Sequence, residues 1–174
     1  MEMIRYKLGF NMFVVDCVRR SEGMALFWGE EVLVMVKNFS QRHINGLVSI
    51  SGTDAQWLFM GFYGHLDPSK RYEAWALLEY LARQSTTPWV CIGNFNEVVD
   101  LSEIWGARGR ARSQMTAFQN ALENCGLADL GFSGPKFIWT NCRKGYDFTN
   151  EGLDRGVANP DWRSLSRRRM CGWR

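Results

Sequence analysis

Histidine is almost absent from this 174-residue chain, which holds only His43 and His65. That scarcity removes most catalytic arrangements built on imidazole, and no Ser-His-Asp order or GxSxG turn can be written. There is also no GxxxxGK[ST] phosphate loop and no GxGxxG dinucleotide turn. The five cysteines, Cys17, Cys91, Cys125, Cys142 and Cys171, form no CxxC pair, so zinc-finger spacing is excluded and the metal set is empty. They are expected as buried, reduced thiols of an intracellular protein. Long apolar runs are missing too. No stretch approaches the roughly 18 residues of a membrane span. The stretch Leu8 to Val15 is broken by Asn11 and followed at once by Asp16, Arg19 and Arg20, which is not a signal peptide. The expectation is a protein of the nucleus or cytoplasm with no membrane partner. No internal repeat, low-complexity tract or Pro/Gly-rich linker divides the chain.

Aromatic and apolar residues are what the chain has in quantity. Eight Trp and 46% hydrophobic residues are far from the composition of a disordered segment, and the length suits one domain. Charge is unevenly placed. Residues 1–104 carry 9 Lys/Arg against 12 Asp/Glu, and residues 105–174 carry 12 against 6. A polyanionic partner facing the second half is compatible with that asymmetry, as is a solvated basic surface.

Short apolar runs punctuated by Gly, Glu, Asn and Asp predict strands at Met24 to Trp28, Val32 to Val36, Leu47 to Ser51 and Trp57 to Tyr63. Val32, Val34 and Val36 share one face of their strand, and Leu33 and Met35 the other. Two apolar faces predict cover on both sides. Asp67-Pro68 opens a helix as N-cap and first position, with Tyr72, Trp75, Leu78 and Ala82 on its inner face. Trp89 to Ile92 reads as a buried strand leading into a polar turn. Ser113 is placed to cap a second helix that buries Met115, Phe118, Leu122 and Cys125 and stops at Gly126. Phe137 to Thr140 and Phe148 to Asp154 add short strands. Strands first clustered and then alternating with helices predict an α/β layered sandwich.

The polar turn Gly93-Asn94-Phe95-Asn96-Glu97 is the one place where chemistry could gather. Alternation along a strand would project Asn94 and Asn96 together from the sheet edge, where amides can hydrogen-bond a phosphate or its attacking water. The same asparagines serve equally as turn formers.

Several ordered motifs complete the picture. They are Arg20-Ser21-Glu22-Gly23-Met24-Ala25-Leu26-Phe27-Trp28, Gly61-Phe62-Tyr63-Gly64-His65, Trp89 to Asn96, Ala117-Phe118 and Cys125-Gly126-Leu127. Asp129-Leu130-Gly131-Phe132, Gly134-Pro135-Lys136-Phe137-Ile138-Trp139-Thr140-Asn141 and Leu153-Asp154-Arg155 follow in order. In this series the chain resembles the endonuclease/exonuclease/phosphatase superfamily, specifically the endonuclease domain of plant non-LTR (LINE-type) retrotransposon polyproteins. The resemblance runs from about Gly9 to Leu165. It implies a Mg²⁺-dependent DNA-nicking hydrolase, built as a four-layer sandwich of two packed, mostly antiparallel sheets with outer helices. It also implies catalytic roles by position. Tyr63 would contact the scissile phosphate, Asn94 would stand where an Asp handles the attacking water, and Asn96 would help hold the phosphate. Asp154 would buttress a histidine near the domain's C-terminus.

The departures bear on activity. An amide at Asn94 neither takes a proton from water nor brings charge to a metal. Loss of a general base costs roughly 10²- to 10⁴-fold in rate. The family's leading strands, with an Asn and a metal-binding Glu, have no counterpart in the matching text. No histidine follows His65 to match the family's Ser-Asp-His motif, and Gly152 stands where relatives carry Arg. The expectation is a partial domain over residues 1–165 with an unrelated basic tail over 166–174, marginally stable alone. Its function is expected to be that of a degenerate phosphodiesterase, a pseudoenzyme with doubtful Mg²⁺ binding. A non-catalytic nucleic-acid-binding module or a translated remnant are the alternatives. For DNA contact the candidates are Arg108, Arg110 and Arg112, in a mobile basic loop after Trp105, and Trp139, which is otherwise a core residue.

Overall fold

The computed structural model describes residues 9–17, 23–84, 86–106, 109–133, 139–142 and 148–170. Eleven strands and three α-helices occur among them. The strands are β1 (Asn11–Val15), β2 (Met24–Trp28), β3 (Val32–Ser40), β4 (His43–Ile50), β5 (Gln56–Tyr63), β6 (Trp89–Asn94), β7 (Ile104–Gly106), β8 (Ala128–Asp129), β9 (Trp139–Thr140), β10 (Thr149–Glu151) and β11 (Asp154–Ala158). The helices are α1 (Arg71–Ala82), α2 (Arg112–Asn124) and α3 (Pro160–Met170).

The central sheet has six strands in the order β3-β4-β5-β6-β11-β8. All pairs are antiparallel except β5 and β6, which are parallel because α1 carries the chain between them. A two-stranded sheet, β1-β2, and a three-stranded one, β7-β10-β9, complete the α/β arrangement. Packed sheets with helices outside make a partial sandwich, as the motifs imply.

Alternation assigns the two faces of the central sheet. Met60 and Phe62 of β5, Trp89 and Cys91 of β6 and Val157 of β11 point to the helices. There they meet Trp75 and Leu78 of α1 and Phe118 and Leu122 of α2. The rings form a ladder, Phe62–Phe95 at 4.9 Å, Phe95–Phe118 at 5.3 Å and Phe118–Trp75 at 4.6 Å between centroids. Burying each such side chain contributes about 1.5–3 kcal/mol. The opposite face looks toward β1-β2. Phe13 of β1 meets Phe39 of β3 edge-on at 5.1 Å.

Several expectations are corrected in detail. Tyr72 is 65% exposed, and the buried stripe of α1 is instead Arg71, Ala74, Trp75, Leu78 and Leu81. Asp67 caps a single 3₁₀ turn, Pro68–Lys70, that leads into α1. Ala111, not Ser113, occupies the N-cap of α2, without a side-chain hydrogen bond. β3 is an edge strand, and Leu33 and Met35 are 57% and 60% exposed, because the helical layer reaches only the middle strands. Of the described cysteines only Cys91 is buried, with Cys125 half-buried and Cys17 and Cys142 exposed. Burial pushes the Cys125 thiol up to about 12 and holds Cys91 well above its ordinary value. α3 itself runs unbroken from Pro160 to Met170. No described helix is long and apolar enough to cross a membrane.

Candidate active site

Register brings distant residues into one row. Tyr63, the last residue of β5, pairs with Asn94, the last of β6, and Asn94 pairs with Asp154, the first of β11. All three therefore stand on the face toward β1-β2, at one end of three adjacent strands. The next row is Gly61, Ile92 and Gly156. Two glycines leave a shallow floor, and Ile92 is 48% exposed on it. The row is open to solvent there.

The turn after β6 is held tightly. The Asn94 side-chain carbonyl accepts the Asn96 backbone N–H at 2.9 Å, an Asx turn that ends the strand. Phe95 inserts its ring fully into the aromatic ladder, and its N–H donates to the Leu153 carbonyl. Asn96 follows at φ 55°, a left-handed conformation that asparagine tolerates better than most residues. Its side-chain amide donates to the Gly64 carbonyl at 2.8 Å, and the Gly64 N–H donates to the Asn94 carbonyl at 2.7 Å. A Cβ at Gly64 would lie 2.0 Å from the Phe95 carbonyl oxygen, so only glycine fits that approach. Asn94 and Asn96 thus do not project side by side. Alternation stops at Asn94, and Asn96 is buried and turned toward Gly64.

A buried charge cluster locks the far side of the same turn. Glu97 is fully buried and pairs with Arg71 and, at 3.1 Å, with Arg110. Arg110 also pairs with Glu151 at 2.8 Å. This corrects the picture of Arg110 in a mobile loop, since its guanidinium is spent on two buried carboxylates. Arg155 bridges Glu103 at 2.7 Å and Asp129 at 2.6 Å. Arg112 is exposed in the first turn of α2, and Arg108 lies outside the described residues. Trp139 is 37% exposed on β9, so the core reading of it is not met. Trp105 is exposed on β7, its ring edge-on to Phe148 at 5.3 Å.

The histidines do not join the row. His43 is held between Ser40, whose hydroxyl meets Nδ1 at 2.7 Å, and Asn38, whose side-chain carbonyl meets Nε2 at 2.9 Å. His65 accepts the Asp67 N–H on Nδ1. Burial, then the positive charges of Arg42 and Lys70, hold the His65 pKa below its ordinary value. Asp154 therefore has no imidazole beside it among the described residues.

Sequence reading passed over Arg42. Its carbonyl accepts the Tyr63 N–H at 2.8 Å, and its guanidinium donates to the Gly64 carbonyl at 3.4 Å. Only the β4–β5 register, His43 opposite Phe62, places it beside the row, and no motif announces that.

The chain superimposes on the endonuclease domain of TRAS1, a telomere-specific non-LTR retrotransposon, with a TM-score of 0.70 and 12% identity, covering 90% of this chain and 70% of that one. The chain shares the endonuclease/exonuclease/phosphatase fold. The same fold appears in the 3′ phosphatase NExo from Neisseria bound to product DNA hairpin, at TM-score 0.63 and 16% identity over 91% of this chain and 70% of that one. D. rerio TDP2 complexed with single-strand DNA product follows at TM-score 0.54 and 11% identity, over 91% and 66%. No protein-family model matches the chain, and no curated protein sequence does. At such identities the likeness within the endonuclease/exonuclease/phosphatase fold is one of architecture.

The donors of the row do not make a resident Mg²⁺ site. Asp154 is its single carboxylate, Asn94 brings a neutral amide, and Mg²⁺ is held through carboxylates with waters and substrate phosphates. Among the described residues no three of His, Cys, Asp and Glu converge.

Proposed function

We propose that this chain is a phosphodiesterase-type domain of retrotransposon ancestry that engages nucleic acid at the Tyr63–Asn94–Asp154 row and hydrolyses it weakly or not at all. The observation that carries this reading is the row itself. Three strand ends converge with polar side chains on an open face, and an amide stands at the centre. Tyr63 would donate its hydroxyl to a phosphate oxygen and Asn94 its amide N–H groups. Asn96, turned onto Gly64, holds the turn rather than the substrate. Asp154 is the one group in the row able to accept a proton, and no imidazole lies beside it to tune it. DNA is the polyanion favoured by the neighbours NExo and TDP2, whose structures hold a DNA hairpin and a single-strand DNA product. Exposed Trp139 and Arg112 would contribute stacking and charge at the margin.

Nicking of supercoiled plasmid by gel-filtered protein, with Mg²⁺ and with chelator, tests the reading. The expected result is no cleavage above background in either condition, for the natural chain and for Asn94→Asp alike. A carboxylate at position 94 would still lack an imidazole opposite it. Strong Mg²⁺-dependent nicking by the natural chain would refute the hydrolytic part of the proposal. Strong nicking by Asn94→Asp alone would show that the amide is the whole defect.

A further inference from the structure

Arg42 differs from three other buried or half-buried arginines of the molecule. Arg71, Arg110 and Arg155 are all consumed by carboxylates, whereas among the described residues no ion pair engages Arg42. Its backbone and side chain both reach the candidate site. The Arg42 carbonyl holds the Tyr63 N–H, and Nη1 donates to the same Gly64 carbonyl that accepts the Asn96 amide. A guanidinium carries five N–H donors, and the 3.4 Å contact to Gly64 uses one of them weakly. The remaining donors sit at the end of β5, one residue from Tyr63, next to a row that is otherwise neutral apart from Asp154. Burial lowers the His65 pKa most, and the Arg42 charge lowers it further.

We infer that Arg42 is the cation that receives a nucleic-acid phosphate in this site, so that binding proceeds without a divalent metal. This rests on the phosphate-handling reading of the Tyr63–Asn94–Asp154 row and adds what neutralises the charge. The chemistry is complementary. A phosphodiester needs one positive partner and several donors, and a guanidinium presents a planar fork of N–H groups suited to phosphate oxygens. Asn94 and Tyr63 add neutral donors. A phosphate held this way is bound but not activated, since a guanidinium does not generate hydroxide from water.

Fluorescence anisotropy of a short labelled single-stranded DNA, at low salt, tests the inference with the full chain. With chelator and with Mg²⁺ the affinity should agree within about twofold. Arg42→Gln should weaken binding roughly 10- to 100-fold, the range for losing a charge-assisted hydrogen bond. The salt slope should fall by about one ion. Arg42→Lys, which keeps the charge, should retain the slope with a smaller loss, and matched thermal melts of both variants exclude unfolding as the cause. Arg83→Gln, an exposed arginine paired with Glu79 on α1, should change nothing. Binding that appears only with Mg²⁺, or binding unaffected by Arg42→Gln, would overturn the inference while leaving a nucleic-acid-binding protein. No binding under any condition would overturn it together with the reading on which it rests.

Discussion

At the scale of single residues, His43 stands apart from the candidate site and is held by neighbours at both ring nitrogens. Asn38 offers an oxygen to Nε2, which therefore carries the proton, and the Ser40 hydroxyl donates to Nδ1. The imidazole is held neutral, and burial lowers its pKa below the ordinary value near 6.5. In the window between that depressed value and about 6.5 the unfolded chain binds more protons than the folded one. Stability is thus full above about pH 6.5 and falls as the pH drops through the window. Urea midpoints measured at neutral and mildly acidic pH should show this decline, and His43→Gln should shrink it. An identical decline in the variant would place its origin elsewhere. The family motifs name Tyr63, Asn94 and Asp154 one by one, and the strand register sets these three in one row. The position of Arg42 beside that row is not named by any motif, because it depends on a strand register that no local pattern specifies.

At the scale of elements, the Asn94–Glu97 turn shows how a loop is fixed from both sides. Phe95 anchors it in the ladder of rings, and Glu97 anchors it by charge between Arg71 on α1 and Arg110. Glu97 also accepts the Val98 N–H at 3.0 Å. Removing one partner of a buried ion pair typically costs about 3–5 kcal/mol, because the remaining charge stays buried and unpaired. Glu97→Gln should therefore lower stability by about 3 kcal/mol or more in urea denaturation. A loss below about 1 kcal/mol would mean that the two arginines find other acceptors. The strands β2, β5 and β6 follow their apolar runs closely, since period-two alternation over a packed face leaves little freedom. α2 buries Met115, Phe118 and Leu122 as foreseen, adds Ala121 to the stripe and leaves Cys125 half-buried. α1 is rotated from its expected face, because Arg71, an apparently solvent-facing residue, is drawn inward by Glu97. That pairing lies 26 positions apart in the chain, beyond the reach of any helical pattern.

At the scale of the whole molecule, the central sheet and its helical layer place three strand ends, β5, β6 and β11, on one open face. The layered α/β class followed from the order of strands and helices, and its particular topology from the motif series. The edges did not follow. Leu33 and Met35 have the apolar character of a covered face, yet the described helices stop short of β3. Sequence records that a residue is apolar but not whether something reaches it. Trp139 fails as a core residue for the same reason, lying on a two-residue strand at the margin of a small sheet. The central claim is that the open face of β5, β6 and β11 is where nucleic acid binds. The most direct measurement is a titration of isotope-labelled protein with a short single-stranded DNA, followed through backbone amide shifts. The account predicts that Tyr63, Gly64, Asn94 and Asp154 move first and saturate together. Shifts confined to α3 or β8, with those four unmoved, would contradict it.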